Sequence, residues 1–217
     1  SSAASDVYKR QGVPCFCRGT TILTERGEIA VEDLSVGDLV VTRDNGLQPI
    51  RWIGSRALDG AALAAAPKLN PIRIRAGALG QGLPRQDLLV SPQHRVLVRS
   101  TIAQRMFGAA EVLVAARQLT AIEGIEELRV DTVEYFHILF DRHEIVLSNG
   151  AETESLYTGA EALKALGAAA RDEIFALFPE LREMPAPAAR PFVPGAKARQ
   201  MADRHQRNHK ELVCLLY

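Results

Sequence analysis

The chain of 217 residues has three cysteines, one tryptophan and no prevailing charge, with 26 Lys and Arg against 26 Asp and Glu. Three cysteines cannot build a disulfide framework, so the fold must rest on an apolar core, and counting thiols fixes no redox compartment. Balanced charge removes the electrostatic case for nucleic acid or an anionic membrane as partner. No apolar run approaches the ~20 residues of a membrane helix, and no segment reads as a signal peptide. Localisation stays open, a secreted or cell-surface place within a longer protein included. What is present is 47% hydrophobic and 24% charged residues with 16 Gly and 11 Pro, the profile of one globular domain or one with an appendage. We expect a monomer without a cofactor.

Both ends read as foreign to that domain. Asp6 to Gln11, DVYKRQ, is encoded by GAT GTG TAT AAG AGA CAG, and one frame of its reverse complement encodes the last four residues, Cys214 to Tyr217. The shared word resembles a translated sequencing adapter, so residues 1–11 and 214–217 are expected to be adapter-derived and the chain to be an interior fragment. Residues 12–157 then form the main domain and 158–213 a helical and Pro-rich C-terminal extension.

From Thr20 to Leu147 short strand-like runs alternate with turn residues, which predicts an all-β fold. The runs include TTIL (Thr20 to Leu23), DLVVT (Asp38 to Thr42), PIRWIG (Pro49 to Gly54), DLLV (Asp87 to Val90), RVLV (Arg95 to Val98), VEYFHILF (Val133 to Phe140) and EIVL (Glu144 to Leu147). Asp44-Asn45-Gly46 and Ser148-Asn149-Gly150 carry hairpin-turn chemistry. The Ala-rich stretch Gly60 to Pro67 reads as a loop or short helix. Beyond Tyr157, Thr158 and Glu161 have capping-box spacing, and Leu163, Leu166, Ala170, Ile174 and Leu177 mark one face of a helix ending at Pro179. A last polar helix is expected within Gly195 to Val213.

Several side chains could carry chemistry. Cys15 stands just before the first strand, and a thiolate is the best side-chain nucleophile near neutral pH. His94, in LVSPQHRVL, lies three residues after Ser91, so the two converge across one turn, with the imidazole placed to donate to or accept from a substrate amide. His137 and His143 in YFHILFDRHEIVL, with Asp141, would share a face of one continuous strand. These residues allow a Cys–His catalytic site or a Cys/His metal site built on Cys15, His94 and His143, although no pair has a standard local zinc spacing. Cys17 is expected to point away from Cys15 as a bystander thiol, with a disulfide to Cys15 as the alternative. Trp52 reads as core.

In this order, CFCRGTTILTERGEIAVEDLSVGDLVVT (Cys15 to Thr42), DLLVSPQHRVLV (Asp87 to Val98) and YFHILFDRHEIVLSNGAETES (Tyr135 to Ser155) resemble the Hint (hedgehog/intein) family, in particular its bacterial domains without a complete splicing apparatus. The resemblance implies a pseudo-two-fold β horseshoe with a short C-terminal helical extension, its chain ends meeting beside the site. It also implies autoprocessing. Cys15 would attack the Pro14 carbonyl and carry an upstream polypeptide, the partner in cis, as a thioester. His94 would protonate the departing nitrogen, Ser91 would hold or twist the amide, and His143, or His137 with Asp141, would assist resolution. No metal is implied. Inteins end in His-Asn, and the matching positions here, Glu154 and Ser155, cannot cyclise, so water or a small nucleophile would resolve the thioester without full splicing. A catalytically inactive interaction module on the same fold is the alternative to activity.

Overall fold

The computed structural model of the chain describes residues 13–159, 163–164, 166–183 and 187–214. The segments read as adapter-derived, Cys214 excepted, lie outside the described residues, as does Glu161 of the expected capping box. The strands in chain order are β1 (Phe16–Cys17), β2 (Thr21–Thr24), β3 (Gly27–Ala30), β4 (Leu39–Thr42), β5 (Gly46–Pro49), β6 (Trp52–Leu58) and β7 (Ile72–Ile74). They continue as β8 (Leu88–Val90), β9 (Arg95–Arg99), β10 (Glu111–Ala115), β11 (Ile125–Glu127), β12 (Val133–Leu139), β13 (Ile145–Ser148) and β14 (Ala151–Glu154). Four α-helices are described: α1 (Gly60–Ala65), α2 (Thr101–Phe107), α3 (Ala168–Leu177) and α4 (Gly195–Arg207).

Two antiparallel sheets carry the strands, one ordered β11-β7-β8-β1-β12-β6 and the other β10-β9-β14-β13-β2-β4-β5, with β3 paired to β2. The all-β class with a helical C-terminal extension therefore stands. Turn chemistry fixes register where it was expected to. Ser148 pairs with Ala151, leaving Asn149 and Gly150 at φ 45° and 81° as a two-residue turn of left-handed residues.

The chain passes between the sheets five times: at short joints after β1, between β5 and β6, between β8 and β9 and between β12 and β13, and through the longer connection from β10 to β11. PIRWIG is accordingly not one strand, since Pro49 ends β5 and Trp52 opens β6. The YFHILFDRHEIVL segment is interrupted in the same way, with β12 ending at Leu139 and β13 starting at Ile145. Strand alternation cannot be carried across such a joint, so the expected common face of His137, Asp141 and His143 does not exist.

Helix α2 was not foreseen, although its ends are conventional: Ser100 Oγ accepts from the Ala103 N–H at 3.0 Å, and Gly108 closes the helix at φ 69°. Helix α3 starts later than expected, after Gly167 at φ 89°, and Leu177 is 46% exposed instead of sharing the buried face of Ile174. Helix α4 buries Ala198, Met201 and Ala202 in the same core as Val112 and Val114. Its His205 is fully buried between Ser100 Oγ and the Lys210 carbonyl, each at 3.0 Å. The extension thus completes the core of the sheets.

A second apolar cluster gathers around Trp52, Tyr135, Leu139, Leu156, Ile174 and Phe178. Trp52 is 7% exposed, and its indole N–H donates to Glu173 Oε2 at 2.9 Å. Trp52→Ala should destabilise the protein by about 3–5 kcal/mol in urea unfolding. A loss below about 1 kcal/mol would show that the indole contributes no packing.

Candidate functional site

The strand register builds the site. Phe16 pairs with Phe136 of β12 on one side and Val90 of β8 on the other, so the preceding residue, Cys15, falls between His137 and Ser91. The Ser91 N–H donates to the Cys15 carbonyl at 3.0 Å, and the His94 N–H donates to the Ser91 carbonyl at 3.0 Å, closing the turn of the joint from β8 to β9. Cys15 is 6% exposed, and Val13 and Pro14 are buried with it.

Three contacts fix the peptide unit before Cys15. Its own N–H donates to Ser91 Oγ at 2.9 Å, Ser91 Oγ donates to the Val13 carbonyl at 2.8 Å, and the Cys15 thiol also points at that carbonyl, at 3.0 Å. His137 faces the same unit with both ring nitrogens: Nδ1 lies 3.0 Å from the Pro14 carbonyl oxygen and Nε2 lies 3.6 Å from Cys15 Sγ. A carbonyl only accepts, so the ring proton belongs on Nδ1, leaving Nε2 as an acceptor facing the thiol.

His94 is 1% exposed, its ring 4.5 Å from that of Phe16 between centroids. Neither of its ring nitrogens has a hydrogen-bond partner among the described residues. A buried imidazole without partners is costly and is free to take up a proton or donate one during a reaction.

Burial governs the ionisation of this cluster. It pushes the Cys15 thiol well above its ordinary range, offset by hydrogen bonding with Ser91, raised further by nearby Cys17, and lowered by the field of Arg56. Cys17 is pushed up to about 12 by burial. At rest Cys15 is therefore a thiol, and ionising it needs a base. Burial lowers His94 to about 4, against the raising pull of Glu154 and of the Cys15 main chain, which lies near the ring short of hydrogen-bond geometry. His137 is lowered to about 4, again by burial, with its bond to the Pro14 carbonyl opposing and Arg56 reinforcing.

These shifts make the fold acid-labile. Both folded histidines lie below the unfolded value near 6.5, so the unfolded chain binds more protons between those pH values. The stabilisation is complete above pH 6.5 and is lost as pH falls toward 4. Two such groups at about 1.4 kcal/mol per pH unit each predict a fall on the order of 2–3 kcal/mol per unit between pH 6 and 5. His205, also lowered by burial, acts in the same direction. Urea midpoints across this range should show the fall, and a flat profile would contradict the neutral buried state of the pair.

The other predicted residues lie elsewhere. His143 accepts from the Ala189 N–H at Nδ1, 3.0 Å away, and packs against the rings of Tyr157 and Phe192. Its Nε2 is 3.2 Å from Glu154 Oε2 but lacks the angle of a hydrogen bond. Asp141 is half exposed and paired with Arg51 at 3.6 Å, so it does not join His137. Cys17 falls on the same apolar cluster as Cys15 and does not point away, because alternate residues of an extended segment share a face. Both thiols are free. Among the described residues no group of three or more His, Cys, Asp or Glu side chains is placed to hold a metal ion.

Sequence reasoning missed two partners. Glu154 has a fully buried carboxylate that accepts from the Arg95 N–H at 2.9 Å and from its guanidinium at 3.2 Å, joining the neighbour of His94 to His143. The direct hold of His137 on the Pro14 carbonyl was also unseen, since it depends on pairing across more than a hundred residues.

A cysteine seated between a hydroxyl and an imidazole, with its own preceding carbonyl held beside it, defines a two-sheet β domain organised around its N-terminal junction. The Hint domain profile matches residues 14–160, and the chain belongs to the Hint family. Among solved structures, the bacterial intein-like domain from Clostridium thermocellum is similar at 15% identity and TM-score 0.44, over 65% of this chain and 97% of that one. The gp41-1 intein is similar at 13% identity and TM-score 0.39, over 64% and 97%. A DnaB intein from Synechocystis sp. PCC 6803 is similar at 9% identity and TM-score 0.39, over 65% and 98%. No curated protein matches the chain. No helix among the described residues is long and apolar enough to cross a membrane.

Proposed function

We propose that this Hint domain cleaves the peptide bond between Pro14 and Cys15 by an N–S acyl shift, and that the thioester is resolved by water or another nucleophile without full splicing. The observation that carries this reading is the two-sided contact of His137, with its base nitrogen toward Cys15 Sγ and its N–H on the Pro14 carbonyl. The elevated thiol requires a base, and the attacked carbonyl requires a donor that strengthens as negative charge develops on oxygen.

In the step, Sγ bonds to the Pro14 carbonyl carbon and the carbon–nitrogen bond to Cys15 breaks. The proton leaving sulfur passes to His137 Nε2. His94, neutral at rest, first takes up a proton from solvent; burial makes this protonated form a strong acid, and it gives that proton to the departing nitrogen. His137 ends protonated and His94 neutral, so the two transfers themselves leave net charge unchanged. Ser91, already joined to the Cys15 N–H and to the Val13 carbonyl, keeps the bond from rotating out of the site. Glu154 and Ser155 have no side-chain amide to cyclise, which supports cleavage without splicing.

The depth of Cys15 favours one second reading, a Hint-fold interaction module whose thiol is inert. A folded reporter joined in front of Gly12 separates the two. Dithiothreitol should release the reporter under reducing conditions. A fusion that stays intact through long incubation with the thiol supports the inert module.

A further inference from the structure

We infer that the segment carrying α3 is a cap on the Cys15 pocket, latched by the hydrogen bond between Glu173 and Trp52, and that an acyl acceptor reaches the thioester only when this cap lifts; the role of the acceptor rests on the cleavage reading above.

Three observations converge. Leu163, Ile174 and Phe178 of the extension are 3%, 0% and 7% exposed and belong to the same buried cluster as Val13 and Cys15. The buried apolar cluster that holds Cys15 is therefore built in part from residues about 150 positions downstream of it, outside both sheets. Glu173, exposed on α3 and adjacent to Ile174, accepts the Trp52 indole N–H at 2.9 Å. The Arg51 guanidinium lies 6.0 Å from the Phe178 ring centroid, a second and weaker fastening on the same side.

The latch is tied to the catalytic imidazole. Trp52 stacks on His137 with centroids 6.5 Å apart and an interplanar angle of 26°. Gly54 stands opposite His137 in the ladder, and a Cβ at Gly54 would collide with the indole, so the missing side chain is what lets the ring lie there. Glu173, Trp52 and His137 form one contiguous line from the outer face of α3 to the thiol.

A buried thiol is alkylated through openings of its cover, so the rate reports how often the cap lifts. Loss of one hydrogen bond should raise that population about fivefold. Iodoacetamide labelling of the full chain, assigned to Cys15 and separated from Cys17 by peptide fragmentation, should accelerate at least about fivefold in Glu173→Ala and in Trp52→Phe, which removes the donor and keeps an aromatic ring. Glu173→Gln retains an acceptor and should label near the wild-type rate. In Glu173→Ala the emission of Trp52, the sole tryptophan, should shift to longer wavelength.

Unchanged Cys15 labelling in both Glu173→Ala and Trp52→Phe overturns the cap. Acceleration by Glu173→Gln equal to that by Glu173→Ala also overturns the latch. Reporter release measured on the same variants keeps the two readings apart. Faster labelling with no release in any variant retains the cap and removes the cleavage reading, whereas release with unchanged labelling does the reverse.

Discussion

Cys15→Ala should abolish release of an upstream reporter, a loss on the order of 10⁴-fold or more, because in the proposed step it is Cys15 Sγ that forms the acyl bond. The same substitution should leave the fold nearly intact. Cys15 contributes a weak thiol bond to the Val13 carbonyl and one small buried group, so its removal should cost about 1 kcal/mol. Release kinetics and urea unfolding on one preparation check both halves. A variant that still releases the reporter at the wild-type rate removes Cys15 from the chemistry. One that unfolds outright makes it a packing residue.

His137→Ala should slow thiol-induced release by about 10²–10⁴-fold, the range expected for loss of a general base that also holds the carbonyl. The effect should appear in the rate of thioester formation, since both contacts of the ring are to groups of that step. His94→Ala should fall in a similar range through the departing nitrogen. Asp141→Asn, at an exposed site paired with Arg51, should remain within about twofold of wild type. If His137→Ala cleaves normally while Asp141→Asn does not, the roles drawn from the geometry are reversed.

The contrast between these residues shows what could be read without coordinates. The placement of Cys15 just before a strand and the convergence of Ser91 and His94 across one turn were legible because these signals are local. Hairpin turns such as Asn149-Gly150 were legible because left-handed backbone restricts residue choice. His137 was visible as a candidate, but its contacts with Cys15 and the Pro14 carbonyl were not, since the pairing of Phe16 with Phe136 sets them and no local pattern encodes that pairing. Asp141 was wrongly grouped with His137 because a period of two was continued through a joint where the chain changes sheets. The same alternation, correctly applied, places Cys17 beside Cys15 in one cluster.

The contribution of the extension was hidden for a related reason. Leu163 and Ile174 suggested an apolar helix face, but only the fold shows that these residues join the buried cluster that holds Cys15. Glu173 resembles any solvated acid in sequence, and its bond to Trp52 spans more than a hundred residues. Gly167, at φ 89°, stands at the start of α3, and Leu177 at its end is 46% exposed. Each of these depends on long-range packing.

The central claim is that the bond before Cys15 becomes a thioester, and the most direct measurement is the intact mass of the upstream product after hydroxylamine treatment of a reporter fusion. The account predicts a reporter ending in Pro14 as the hydroxamate, absent from Cys15→Ala treated in parallel. Release at any other bond, or the same product from Cys15→Ala, would contradict it.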